Sequence, residues 1–313
     1  MKIILAGGTG FLGKALQQFY CDKAKEIVVL SRSVNTLAQR KPDCGIVRYA
    51  YWPNKLNNDH SWMQELEGAD MVINLAGKNV NCRYTPENKK EILESRVQAT
   101  DAIAEAIRQC NVKPKLWINL SSGTVYRHAE DRPQNEFTGE IGDGFSEDVV
   151  RAWEKSFAQE VGTQTRKVTM RLGIVLGNGE GVIPRLKNLV RFGLGGKHGN
   201  GRQMVNWIHV DDFNAIVEWF RTNPDASGPY NIVSPHPVTN AELMKTMRKV
   251  MGMPFGLPAP KWMLEIGAWL IGTETELLLK SRWVEPKRLV DEGYAFRFPK
   301  IDDAIRNLLR SDH

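Results

Sequence analysis

The chain lacks most of what would mark an exported, metal-binding or membrane-embedded protein. Its four cysteines, Cys21, Cys44, Cys82 and Cys110, stand apart without any CxxC pair. That spacing suggests neither a zinc site nor a disulfide framework, and all four are expected to be ordinary reduced thiols. No apolar run approaches the roughly 18 residues of a membrane span, and the first one meets glycine too soon for a signal peptide. The expectation is a cytoplasmic protein with no membrane partner. Clusters of Asp, Glu or His at metal-ligand spacing are missing too, so no metal is expected. The net charge of +6 is spread along 313 residues, with no basic run and no aromatic-basic platform, so nucleic acid is not an expected partner. The charge suits an anionic small molecule or plain solubility.

There is no internal repeat and no low-complexity linker, whereas 42% apolar residues over this length support a sizeable core. Short apolar runs alternate with amphipathic segments, the pattern of βαβ units and a parallel sheet. Strands are expected at Lys2–Ala6, Glu26–Ser31, Ile46–Ala50, Met71–Leu75, Leu116–Leu120 and Val168–Leu172. Helices are expected at Pro86–Cys110, where Ile92, Val97, Ile103 and Ile107 recur near helical spacing, and at Asp148–Val161, where Val149, Trp153 and Phe157 do so. After Leu176 the segment GNGEGVIPRLKNLVRFGLGGKHGNGRQ carries glycine too densely for regular structure. Helices at Asp211–Arg221 and Asn240–Met251 and a strand at Tyr230–Val233 follow. The expected fold is α/β, a Rossmann-like doubly wound parallel sheet over residues 1–176 with contributions from about 203–235. A smaller substrate lobe occupies 177–313.

Gly7, Gly10 and Gly13 form GxxGxxG directly between the first strand and an amphipathic helix. In such a turn the first glycine permits the reversal, the second admits a pyrophosphate close to backbone, and the third lets helix and strand pack. The phosphate then rests on the helix N-terminus. The second strand ends in VVLSRS, with no acid to hold a ribose 2′-hydroxyl. Arg32, with Ser31 and Ser33, would instead face a 2′-phosphate, which makes NADP the expected cofactor ahead of NAD. The alternative is that Arg32 is a solvated loop residue.

Four motifs in this order resemble the extended short-chain dehydrogenase/reductase superfamily: GGTGFLG at 7–13, NLAG at 74–77, SSGTVY at 121–126 and NWIHVDD at 206–212. FGLGGKHGNGRQ at 192–203, GPYNIVSPHPVTNAEL at 228–243 and VEPKRLVDEGYAFRFPKIDDAI at 284–305 resemble an epimerase-like subgroup within it. The resemblance implies that Thr9, Gly10, Phe11 and Leu12 present backbone to the pyrophosphate, and that Leu75, Ala76 and Gly77 flank the adenosine and ribose. It places Arg96, with Glu91 nearby, on the cofactor side of a helix, and Val175 beside the nicotinamide. The bland alternatives are a surface salt bridge for Arg96 and a core position for Val175. Relatives also imply a homodimer built through the long helices.

The superfamily's catalytic pair is what this chain does not have. A serine polarises the substrate oxygen and the tyrosine of YxxxK moves the proton, its acidity raised by the lysine. Ser122 matches the serine. None of the seven tyrosines has lysine four residues later, and Ser146 and Val150 fall at the tyrosine and lysine positions. Tyr126 is the expected substitute, since strand alternation puts it on the face of Ser122 and Thr124, although an aromatic at a strand end also packs readily. His209 beside two acids invites a dyad, but Asp211 or Asp212 is expected as the cap of the following helix. His198 and Arg202 are expected on a loop that closes over an anionic substrate. Two functions stay open: an NADP-dependent oxidoreductase or epimerase-like enzyme acting on a small carbonyl or hydroxyl compound, and a non-catalytic NADP-binding sensor or scaffold.

Overall fold

The computed structural model describes residues 1–33, 44–56, 59–270 and 274–310. Seven strands form one parallel sheet: β1 (Lys2–Ala6), β2 (Glu26–Ser31), β3 (Val47–Tyr51), β4 (Met71–Asn74), β5 (Leu116–Ser122), β6 (Arg166–Leu172) and, after three short strands outside it, Gly228–Ile232. That last strand pairs with β6, and the order across the sheet is Gly228–Ile232, β6, β5, β4, β1, β2, β3. The first strands read as unbroken apolar runs because the sheet is covered on both faces. Ile3, Leu5, Ile27 and Val29 enter one core cluster, and Ile4, Val28, Leu30 and Val72 the other. Strand order reverses between β1 and β4, and the crevice beyond the carboxyl ends of those two strands is where such sheets bind ligands.

Helix α1 (Phe11–Tyr20) follows β1 and buries Leu16 and Tyr20. Helix α2 (Pro86–Gln109) follows β4, capped by the Thr85 side chain accepting from the Asn88 amide. Helix α3 (Phe145–Ala158) follows β5 and starts three residues before its sequence boundary. A buried polar knot ties the sheet to α2 and α3. Asn74 donates to Asn119 at 2.7 Å and to Thr100 at 3.2 Å, and the Trp153 indole donates to Thr100 at 3.0 Å. Each buried polar atom in this knot gains a partner, so it adds orientation without leaving an orphan.

A third apolar cluster lies outside the sheet. Helices Ile183–Arg191, Asn240–Val250 and Ile301–Arg310 contribute Leu186, Met244, Met247, Ile305 and Leu308 to it. The first of these corrects the expectation that the glycine-rich segment has no regular structure. The nine residues IPRLKNLVR contain no glycine and turn Ile183, Leu186 and Val190 inward. Gly181 and Gly193 flank them at φ +80° and +75° and end the helix on each side. His198 is buried, its amide donating to Asn240 at 2.7 Å, so it is a core residue rather than part of a closing loop.

Two further expectations change. Cys21 and Cys44 are joined in a disulfide, with Cα atoms 5.7 Å apart, because the end of α1 and the entry to β3 meet at the same edge; Cys82 and Cys110 are free. The helix Val210–Thr222 is capped by His209, whose Nδ1 accepts from the Asp211 amide at 3.0 Å. Asp212 instead accepts from the Arg297 and Phe298 amides at 2.7 and 2.9 Å and anchors the C-terminal segment. Among the described residues no helix is long and apolar enough to cross a membrane, and no three His, Cys, Asp or Glu side chains gather to hold a metal.

Candidate active site and dinucleotide cleft

The glycine turn packs as its spacing demands. Gly7 sits at φ +74°, and a Cβ there would lie 2.9 Å from the Ala76 Cα. A Cβ on Gly13 would come within 2.1 Å of the Gly8 carbonyl oxygen, so only glycine lets α1 approach the turn this closely. Gly10 is different. It is the N-cap of α1 without a side-chain cap, and a Cβ there would meet nothing within 4 Å. Its freedom faces a cleft of about 640 Å³, lined by Gly7, Thr9, Gly10 and Lys14 on one side and Leu75, Ala76 and Gly77 on the other. An anion in that space meets the uncapped amides of a helix N-terminus.

Ser31 and Arg32 line the same cleft at the end of β2. The Ser31 hydroxyl accepts from the Ser33 amide at 3.2 Å, which bends the chain so that it stays at the rim. Glu91 also lines the cleft, its carboxylate paired with Lys78. Phe11 turns its ring away to pack on Gly177, where a Cβ would lie 2.3 Å from the ring. Phe11, Leu12 and Gly13 therefore offer the cleft only the start of α1. Open glycine backbone, an uncapped helix start and an arginine at the β2 rim fit a phosphorylated dinucleotide.

A second, smaller cavity of about 260 Å³ continues inward past Leu75, Ala76 and Gly77. Ser122 lines it from the end of β5, its Oγ accepting from the Thr124 amide at 3.2 Å and its proton free to point inward. Arg96 lines it from α2, one Nη donating to the Ile92 carbonyl at 2.8 Å and the guanidinium lying 5.2 Å from the Trp153 ring. No carboxylate among the described residues pairs with it, and burial pulls its pKa down to about 10. Ser146 and Val150, the residues at the tyrosine and lysine positions, both face this cavity. Leu120, Phe145, Val149 and Leu172 make most of the remaining wall apolar.

Two expected site residues lie elsewhere. β5 ends at Ser122 and a turn of 3-10 helix, Gly123–Val125, intervenes, so strand alternation no longer governs Tyr126. Its ring is buried, and its hydroxyl donates to Asn231 at 3.0 Å and accepts from Arg171 at 2.9 Å, behind the cavity wall. Burial raises its pKa. Val175 is packed into the main core and lines neither cavity, whereas Leu172 and Gly173 just before it do. Sequence reasoning also passed over Tyr84, which lines the inner cavity from the loop before α2, as Ser146 does from α3.

A sequence model described as the NAD dependent epimerase/dehydratase family matches residues 3–233, and one described as a domain of unknown function matches 259–308. The chain belongs to the NAD dependent epimerase/dehydratase family. The epimerase family protein YfhF of Bacillus subtilis is 30% identical over 309 residues, covering 99% of this chain and 98% of the relative. The human epimerase family protein SDR39U1 is 30% identical over 319 residues, covering 99% and 100%. A crystal structure of human SDR39U1 with NADPH superposes with a TM-score of 0.85 at 29% identity, covering 99% of both chains. A nucleoside-diphosphate sugar epimerase from Corynebacterium glutamicum gives 0.76 at 28% identity, covering 99% of this chain and 58% of its own. Family membership, fold and a nicotinamide dinucleotide as the cofactor class agree with the cleft described above.

Proposed function

We propose that this protein is an NADP-dependent oxidoreductase acting on a small carbonyl or hydroxyl compound. The observation that carries the choice of NADP is Arg32. It stands at the rim where a dinucleotide's adenosine ribose would lie, no acid ends β2, and no carboxylate among the described residues pairs with it. A 2′-phosphate there gains a charge-assisted hydrogen bond, which a 2′-hydroxyl does not. The NADPH in the human SDR39U1 structure supports the same reading.

When bound, the dinucleotide supplies or takes up a hydride at its nicotinamide ring. The residues do the rest. The glycine turn and α1 hold the pyrophosphate, and Leu75, Ala76 and Gly77 form the passage between the outer cleft and the inner cavity. Ser122 donates a hydrogen bond to the reacting oxygen, and the apolar walls keep competing water out. At about 260 Å³ the inner cavity falls just below the roughly 300–1,000 Å³ of drug-sized sites. It suits a small substrate better than a nucleotide-linked one.

Ser146 and Val150 also favour a second reading, a non-catalytic NADP-binding sensor, because neither group can act as the tyrosine or lysine it replaces. Calorimetric titration of wild type and Arg32→Ala with NADP and NAD tests the cofactor. The expected result is a fall of roughly tenfold or more for NADP and little change for NAD. Equal losses for both would remove the 2′-phosphate assignment. Turnover across a panel of small aldehydes and ketones, lost in Ser122→Ala, separates enzyme from sensor.

A further inference from the structure

We propose that Tyr84 is the proton donor and acceptor of this active site, supplied by the loop before α2 in place of the tyrosine that α3 has lost. The inference rests on the oxidoreductase reading above and names the group that reading leaves unassigned. Reducing a carbonyl at neutral pH needs an acid stronger than a serine hydroxyl. Among the side chains lining the inner cavity, the Tyr84 phenol meets that need.

Its placement is built by several contacts. The Tyr84 ring packs edge-on against Phe145, centroids 5.0 Å apart, and its backbone amide donates to Glu274 at 2.8 Å. Ser146 lines the same cavity, and its hydroxyl eases ionisation of the phenol. The serine that replaces the α3 tyrosine thus shares its cavity with another phenol. Arg96 stands in the same cavity wall without a carboxylate partner among the described residues, and its charge and the Tyr84 phenolate favour one another. The serine, phenol and cation of the usual mechanism are then Ser122, Tyr84 and Arg96, drawn from β5, a loop and α2.

The Tyr84 O–H bond breaks and a new O–H bond forms on the substrate oxygen while the substrate carbon accepts a hydride, two electrons and a proton nucleus, from NADPH. The carbonyl is reduced to an alcohol and the dinucleotide is oxidised to NADP⁺. The Tyr84 phenolate, stabilised by the charge of Arg96, regains its proton from solvent. Oxidation of an alcohol runs through the same groups in reverse.

Burial keeps Tyr84 protonated at neutral pH, and the groups that face it divide by sign. Glu274, Glu276 and Cys82 oppose ionisation, while Arg96, Arg282 and the Ser146 hydroxyl favour it. A positively charged nicotinamide ring belongs with the second set, and that gives a readout no merely structural tyrosine would share.

The experiment titrates tyrosine by near-ultraviolet difference absorbance in wild type and Tyr84→Phe, each saturated with NADPH or with NADP⁺. The transition missing from Tyr84→Phe is expected about one pH unit lower, a tenfold change in phenolate ratio, with NADP⁺ than with NADPH. Arg96→Gln should raise it with either form. A transition at the same pH in both forms, with both dinucleotides bound, overturns the assignment of Tyr84. For any carbonyl compound that wild type reduces, Tyr84→Phe should lower kcat by roughly 10²–10⁴ with NADPH affinity retained; wild-type kcat in Tyr84→Phe also overturns it. A shifted titration without turnover anywhere in the panel sinks the oxidoreductase reading instead, and the proton-transfer role with it.

Discussion

Replacing Arg96 with leucine should make the protein more stable and less able to hold its ligand. The guanidinium has no carboxylate partner among the described residues, it sits in a mostly apolar wall, and burial lowers its pKa to about 10. At about 1.4 kcal/mol per pH unit, keeping it charged at neutral pH costs the folded state about 3 kcal/mol. The sign follows from proton binding. The unfolded chain holds this proton more tightly than the folded one, so the penalty is complete below about pH 10 and lifts only as pH rises towards the ordinary guanidinium value. Against this, Arg96→Leu forfeits a hydrogen bond to the Ile92 carbonyl at about 1 kcal/mol and the contact with Trp153 at about 1 kcal/mol. The balance is a net stabilisation of about 1 kcal/mol, or a rise in Tm of roughly 1–2 °C in thermal melts without ligand. Added NADPH should then raise the Tm of wild type more than that of the variant. A Tm several degrees below wild type would refute the reasoning, because it would make Arg96 a structural tie rather than a charge held in reserve for the site.

The last and middle glycines of the turn should separate packing from binding. Gly13→Ala puts a methyl 2.1 Å from the Gly8 carbonyl oxygen and should cost about 3 kcal/mol or more in a denaturant melt, with dinucleotide binding lost as α1 shifts. Gly10→Ala meets nothing within 4 Å, so its Tm should stay near wild type while NADPH affinity falls in a fluorescence titration; unchanged affinity would mean the ligand does not approach that backbone. Reducing the Cys21–Cys44 disulfide, whose partners are 23 residues apart, removes a constraint worth about 3 kcal/mol by chain entropy. Tm should drop by roughly 4–5 °C in dithiothreitol, and an unchanged melt would show that the pair is not bonded in solution.

The sheet was legible because its residues obey local rules. β1 and β2 begin and end where their apolar runs do, and the glycine turn lies where strand gives way to helix. What failed were readings carried past the point where a local rule applies. Alternation along β5 stops at Ser122, so Tyr126 could not be placed by counting. Averaging glycine over residues 177–203 hid a glycine-free amphipathic helix inside them. Cys21 and Cys44 share no motif, and only the packing of α1 beside β3 brings them together. The polar knot of Asn74, Thr100 and Asn119 had a faint signal, two asparagines inside otherwise apolar strands, because a polar residue there must find a partner. Tyr84 had none. Its role depends on a loop, a ring contact and a serine 62 positions away in the chain, as the numbering shows.

The two cavities differ in what builds them, and that difference explains why the cofactor was easier to read than the chemistry. The outer cleft is made by β1, β2, β4 and the start of α1, where backbone geometry is imposed by glycine spacing and sheet order. The inner cavity takes Tyr84 and Ser146 from segments tied to the C-terminal part of the chain: Glu274 holds the Tyr84 amide, and Lys280 pairs with the fully buried Glu147, next to Ser146. A shift of the 274–282 segment would therefore move the phenol and its serine together while leaving the glycine turn untouched. Substitutions at Glu274 or Lys280 should act on turnover before they act on dinucleotide affinity, because the contacts they break orient the reacting groups and not the pyrophosphate.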